Sequence, residues 1–234
     1  MKSKETSFKS DKGVAAIIGP AASGKRKAVL FCGCVASGKT SLCRNIARSF
    51  ATVNYFDKDS MAVIAAAGAV RDRSLPEFSK FREAEMEACV NLILESLEFC
   101  PLVVMSAPWR LELCSLFENK PHERIRRLAD GCHQLGAKLC VVFIDIPKEI
   151  LHEHLRKRAA CDPDAASRTE SIFSDPDKPE SFLATQLLHV PDGVTSLPDV
   201  DCFHVFDAGH AAESFESIKK ALEVDFDLPH DPDF

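Results

Sequence analysis

Two stretches carry the spacing of a phosphate-binding loop, G-x-x-x-x-G-K: Gly19–Lys25 and Gly33–Lys39. In such a loop the glycines let successive backbone N–H groups turn toward an anion. The lysine adds a positive charge, and a helix starting there points its positive end at the same place. A Ser or Thr after the lysine then offers a hydroxyl to Mg²⁺. The first copy has Arg26 where the hydroxyl is needed, and only three residues separate Gly24 from the strand expected at Ala28, too few for a helix. It reads as a connecting loop with a solvated patch at Lys25, Arg26 and Lys27. The second copy, Gly33-Cys-Val-Ala-Ser-Gly-Lys-Thr40, follows an apolar run and opens a helical pattern. The expected phosphate-binding residues are Gly33, Ala36, Ser37, Gly38, Lys39, Thr40 and Ser41, with Thr40 as the Mg²⁺ ligand.

Other reactive side chains cluster near predicted strand ends. Asp57 and Asp59 follow the second strand. One could take a proton from an acceptor hydroxyl and the other could fix Mg²⁺ through water; the plain alternative is a pair of helix caps. Arg71 and Arg73 flank Asp72, and their guanidinium groups suit an anionic acceptor as well as a solvated turn. Arg82 and Glu83, further along, are candidates for substrate contact. Trp109, the one tryptophan, follows the third strand and reads either as a wall of an acceptor pocket or as core packing; Arg110 beside it is a weaker candidate. The eight histidines show no Ser/His/Asp arrangement and no metal-ligand spacing.

These residues need elements to hold them. Apolar runs at Ala28–Cys32, Thr52–Phe56, Leu102–Ser106, Lys138–Ile144 and Cys202–Asp207 read as strands. Helical periodicity covers Lys39–Phe50, Pro121–Leu135 with a stop at Gly136, Pro147–Arg158 and about Glu213–Val224. Asp59-Ser60 can cap a helix starting at Met61, and Ser74–Glu77 is a capping box. That box opens a long helix with an expected buried stripe of Phe78, Phe81, Glu85, Ala88, Leu92 and Ile93. Strands alternating with helices predict an α/β fold: a parallel sheet with helices on both faces, and ligands at the carboxyl ends of the strands. The polar, proline-rich stretch 159–180 reads as a mobile lid segment inside one domain, 13–224. A disordered tail is expected at 1–12 and an acidic tail at 225–234.

The chain has 234 residues, 46% of them hydrophobic, enough for one sizeable core. Its net charge of −6 argues against non-specific nucleic-acid binding. No apolar run is long enough to span a bilayer, and the N-terminus lacks the apolar segment of a secretory signal. Most of the ten cysteines lie in apolar runs, which predicts buried reduced thiols and a cytoplasmic location.

Four stretches, "GCVASGKTSL", "YFDKDSM", "VRDRS" and "VVMSAPW", taken in order resemble P-loop kinases of the nucleoside-monophosphate-kinase-like group. The nearest likeness is to zeta-toxin-like, AAA-family ATP-binding predicted kinases, over roughly Lys27 to Leu222. The resemblance implies the three-layer P-loop NTPase fold, ATP and Mg²⁺ as cofactors, and phosphoryl transfer to a small-molecule acceptor, with no membrane partner. It implies catalytic roles for Lys39, Asp57, Asp59 and Arg158, substrate contacts for Asp57, Arg71, Arg73, Arg82 and Trp109, and base recognition by the backbone of Ala208 and Gly209. Two departures stand out. Ser106 occupies the place of an Asp on the third strand. His154 and Arg158 occupy an R-x-x-x-R spacing before the lid, where Cys161 precedes Asp162 in place of an Arg-Asp pair. Two other functions compete: a nucleotide-binding switch without kinase activity, and a polynucleotide 5′-hydroxyl kinase, which the acidic charge disfavours.

Overall fold

The computed structural model describes residues 26–50, 52–58, 76–161 and 188–224. The first glycine loop, Asp59, the expected helix at Met61, Arg71, Arg73, Ser74, lid residues 162–180 and both tails lie outside the described residues.

Five strands form one parallel sheet: β1 (Arg26–Gly33), β2 (Asn54–Asp57), β3 (Leu102–Ser106), β4 (Ala137–Asp145) and β5 (Cys202–Asp207), in the order β2-β3-β1-β4-β5. The central strands are apolar without alternation because both faces are covered. Helices α1 (Lys39–Ala47) and α6 (Ala211–Val224) cover one face, packing Leu42, Ile46, Ile218 and Leu222 on Val29, Phe31 and Val142. The other face takes α2 (Pro76–Leu97), α3 (Arg110–Phe117) and α4 (Glu123–Gln134) over Leu30, Met105 and Phe143. A smaller cluster joins α5 (Lys148–Cys161) to the second glycine loop through Cys34, Leu151 and Leu155. This is the three-layer arrangement the alternating pattern predicts.

Several boundaries differ from the sequence reading. β1 begins at Arg26, and β2 lies at Asn54–Asp57 instead of Thr52–Phe56. α1 stops at Ala47, and Phe50 packs against the same cluster from the loop beyond it. α3 was not expected at all. α4 starts at Glu123, where the His122 side chain accepts from the Arg124 N–H. It is followed by Gly136 at φ 67°, a left-handed turn that favours glycine. α5 runs on to Cys161, and α6 starts at Ala211.

The stripe expected along α2 is met at Ile93, which is buried, and at Phe81, Glu85 and Leu92, which are half-buried, but not at Ala88. The buried face of α2 is Met86, Cys89, Val90, Ile93 and Leu97, while Ala88 is exposed. The reason is that the first half of α2 meets charge instead of hydrocarbon. α2 and α4 lead into β3 and β4, so both helices begin at the carboxyl edge of the sheet. There Arg124 binds Glu83 and Glu87 of α2 and Glu112 of α3, with Nε 2.9 Å from Glu87 Oε1. Burial works against the Arg124 charge, but its bonds to Glu87, Glu112 and Glu83 outweigh it and hold its pKa above the usual value. A cleft lined by Glu83, Glu87, His122, Glu123, Arg124 and Arg127 opens over this network.

Gly131 shows how tightly α2 and α4 meet. A Cβ there would lie 2.7 Å from Leu94 Cδ2. Alanine would gain about 1 kcal/mol in helix propensity, and the overpacking costs about 1–3 kcal/mol. Leu94 is half-buried and can shift only in part, so Gly131→Ala is expected to destabilise by about 1 kcal/mol. Urea unfolding reads this directly, and a stabilised variant would show that Leu94 moves freely.

All ten cysteines are free thiols. Burial pushes the Cys89 thiol up to about 11 and that of Cys132 up to about 12. No helix among the described residues is long and apolar enough to cross a membrane.

Candidate nucleotide and phosphoryl-transfer site

β1 delivers the chain into the second glycine loop at the carboxyl edge, between β3 and β4. Gly33 sits at φ 140°, a conformation that favours glycine, and a Cβ there would lie only 3.0 Å from the Ile144 carbonyl oxygen, so the loop leaves β1 in tight contact with β4. Ala36 at φ 60° and Gly38 at φ 90° complete the turn through left-handed backbone. Ser37 N–H donates to Cys34 O at 3.3 Å and Leu42 N–H to Gly38 O at 2.9 Å.

α1 begins at Lys39 with no side-chain cap and no acidic residue in its first turn. Its positive end and its leading N–H groups are therefore left for an anion. Lys39 Nζ donates to Cys34 O at 2.5 Å, folded back over the loop. The Ser37 hydroxyl is buried with no hydrogen-bond partner among the described residues. Ser41 is exposed on the first turn of α1. Uncapped amides, a lysine and an unsatisfied hydroxyl are the donor set a nucleotide's phosphates need, so these residues fit the implied ligand.

Thr40 Oγ1 lies 3.4 Å from Ser106 Oγ at the end of β3. Ser106 is in register with Asp57 on β2 and with Phe31 on β1. Burial raises the Cys43 thiol on α1, and the Asp57 carboxylate raises it further. Val53 and Tyr55 pack on the α1 side of the sheet and Phe56 on the α2 side, so strand alternation turns Asp57 to α1, on the side of Thr40. The three oxygen-bearing side chains share one stretch of the carboxyl edge. Among the described residues no group of three His, Cys, Asp or Glu could hold a metal. A cation here would rely on Thr40, Asp57 and the phosphates themselves, which suits Mg²⁺, a hard ion that takes few protein ligands.

The remaining expected residues scatter. Arg82 and Arg158 stand exposed on α2 and α5, with no bond to the loop among the described residues. Trp109 is 1% exposed, at φ 45° ahead of α3, inside the α2–α4 core. The expectation of a pocket wall gives way to core packing, because the strand end turns the indole inward under α3. The Gly209 N–H donates to Asp207 Oδ1 at 2.7 Å within a short 3₁₀ turn, Ala208–His210, so this amide is engaged inside the turn. Asp207 is held below the usual carboxylate range by its bond to His210, with the Gly209 amide adding to it. Ala208 packs against the cluster that carries Cys34.

Three residues near the loop were missed or undervalued. His154 Nδ1 lies 3.1 Å from Ala36 O, so the residue standing in the first arginine position ties α5 to the left-handed turn of the loop. Asp145 ends β4 beside Gly33 and bonds His189 at 2.8 Å. Arg110 opens α3 shortly after Ala107, whose N–H donates to Phe31 O of β1 at 3.3 Å, so it too starts from the loop's end of the sheet. The available signal was positional: Asp145 follows a predicted strand end at Ile144.

No family model and no curated protein matches the sequence. Solved structures do match. A candidate kinase from Chloroflexus aurantiacus superposes with a TM-score of 0.56 at 16% identity, over 86% of this chain and 99% of its own. A sugar kinase from Janibacter gives 0.49 at 17% identity, over 86% and 95%. A shikimate kinase from Bacteroides thetaiotaomicron gives 0.42 at 17% identity, over 85% and 98%. At these identities the likeness is one of fold, it rests on the first of the three, and it does not single out the zeta-toxin-like subgroup. The chain has the three-layer α/β fold of P-loop NTPases.

Proposed function

We propose that the protein is an ATP-dependent phosphotransferase that moves the γ-phosphoryl group of ATP to a hydroxyl or phosphate of a small-molecule acceptor. The observation that carries the reading is the meeting of Thr40 and Ser106 at 3.4 Å, with Asp57 in register beside them, at the mouth of an uncapped glycine loop. Phosphoryl transfer asks a protein for positioning and charge neutralisation, with little covalent chemistry.

In this reading the loop amides of Ala36 to Thr40 cradle the phosphates. Lys39 leaves the Cys34 carbonyl and places its charge on the β- and γ-phosphates. Thr40 and Asp57 would hold Mg²⁺, which supplies neutralisation of the phosphate charge when bound. Asp57 provides the carboxylate that Ser106 does not, and with Asp59 it orients the acceptor and receives its proton. Arg71, Arg73 and Arg82 lie on the chain that follows β2 and are assigned to an anionic acceptor, and Arg158 to the transferring phosphoryl. His154 fixes the loop's shape from α5.

A second reading rests on Ser106 and His154, which replace an acid and an arginine: a nucleotide-binding switch that does not transfer phosphate. Incubation with γ-labelled ATP and a metabolite extract separates the two. A labelled small molecule formed by the wild type and absent with Lys39→Ala supports the kinase. ATP binding with no labelled product favours the switch.

A further inference from the structure

The residue after Asp57 leaves to the opposite side of the sheet. Asp57 shares the α1 face of β2 with Tyr55, whereas Lys58 Nζ lies 3.3 Å from Glu85 Oε2 of α2, and both Lys58 and Glu85 side chains are 11% exposed. Lys58 and Glu85 also act in opposite directions on the Cys89 thiol, one turn further along α2. Stability alone gives little reason for a charged pair here. Taking two charges out of water is costly, and an apolar pair of similar volume is often as stable or more so. The next buried positions of α2 are Met86, Cys89 and Val90. β2 itself is four residues long, sits at the edge of the sheet, and is only half-buried along its length. Apolar packing therefore holds its exit weakly, just where the direction of one carboxylate matters.

We propose that the Lys58–Glu85 pair is a positioning device for Asp57. It pins the exit of β2 to α2, which keeps the Asp57 carboxylate turned toward α1, beside Thr40 and Ser106. Glu85, which interrupts an apolar helix pattern in the sequence, is explained by this pairing. The inference rests on the reading of Asp57 given above.

The test uses the full chain with Lys58→Met/Glu85→Leu, an apolar pair that leaves no buried charge unmatched. Calorimetry with ATP is run with and without Mg²⁺, alongside thermal melting. The double variant is expected to melt close to the wild type and to bind metal-free ATP equally well. The gain in ATP affinity brought by Mg²⁺ is expected to shrink about tenfold, the scale at which residues that orient a metal's ligands act. Asp57→Asn should lose the same gain, and Lys58→Arg should keep most of it. A folded double variant with the full Mg²⁺ gain overturns the proposal and leaves the pair structural. If the double variant does not fold, Glu85→Gln carries the same comparison with the same two outcomes. A wild type that binds no ATP overturns the nucleotide-site reading itself, and this inference with it.

Discussion

Lys39→Ala is expected to leave the fold standing and to reduce ATP affinity by about 10²–10³-fold, the scale of removing one partner from a close charge pair. The ammonium is the one side-chain charge inside the loop. Its bond to Cys34 O, a neutral acceptor on the same loop, comes from a charged donor and contributes about 1.5–3 kcal/mol locally. The turn itself is set by Gly33, Ala36 and Gly38 and by the core beneath, none of which the substitution touches. Calorimetric titration with ATP and a thermal melt together check the prediction. Lys25→Ala is the control: its glycine loop lacks both hydroxyl and helix, and ATP affinity should not change. Unchanged affinity in Lys39→Ala would reduce Gly33–Thr40 to a glycine turn. A tenfold loss in Lys25→Ala would reverse the choice between the two loops.

Asp57→Asn is expected to separate binding from chemistry. Metal-free ATP should bind as in the wild type, because the loop amides, Lys39 and Thr40 are untouched. Turnover of the acceptor should fall by about 10²-fold or more, the usual scale for a positioned acid–base group. Both roles assigned to this carboxylate, partner to the cation and acceptor of a proton, need the negative charge that Asn lacks. If Asp57 served only to cap the chain beyond β2, Asn would do nearly as well, since the two residues rank together as caps. Near-wild-type turnover would therefore identify a cap. A large loss in Asp59→Asn with none in Asp57→Asn would exchange the two roles.

The sheet was legible in the sequence because its determinants are local. A strand buried on both faces must be apolar throughout, so Leu102–Ser106 could be read to the residue; the half-buried edge strand Cys202–Asp207 was read to the residue from its shorter apolar runs. The glycine loop was legible for the same reason. Strand, left-handed turn, lysine and hydroxyl are consecutive, and every requirement is met within a few residues of Gly33. The preference for the second loop over the first rests on the sequence alone, on the missing hydroxyl at Arg26 and the missing length before Ala28, and the Lys25→Ala control tests it.

What the tertiary structure decided are the matters set by residues far apart in the chain. Thr40 and Ser106 meet across 66 positions, His154 and Ala36 across 118, and neither meeting leaves a periodic trace. The inner face of α2 was read only in part, because periodicity assumes that such a face is apolar. Here Glu83, Glu85 and Glu87 face Arg124 and Lys58, cations brought in from α4 and from the end of β2. The direction of Trp109 depended on α3, a short helix with too weak a one-sided pattern to announce itself. The Gly209 amide was claimed by Asp207, a choice between a local turn and a ligand that strand and helix patterns do not encode. Short-range backbone preference and burial are written residue by residue, so one strand or loop suffices to read them. Ion pairs and site geometry depend on which distant elements the fold places side by side, and only the packed chain determines that.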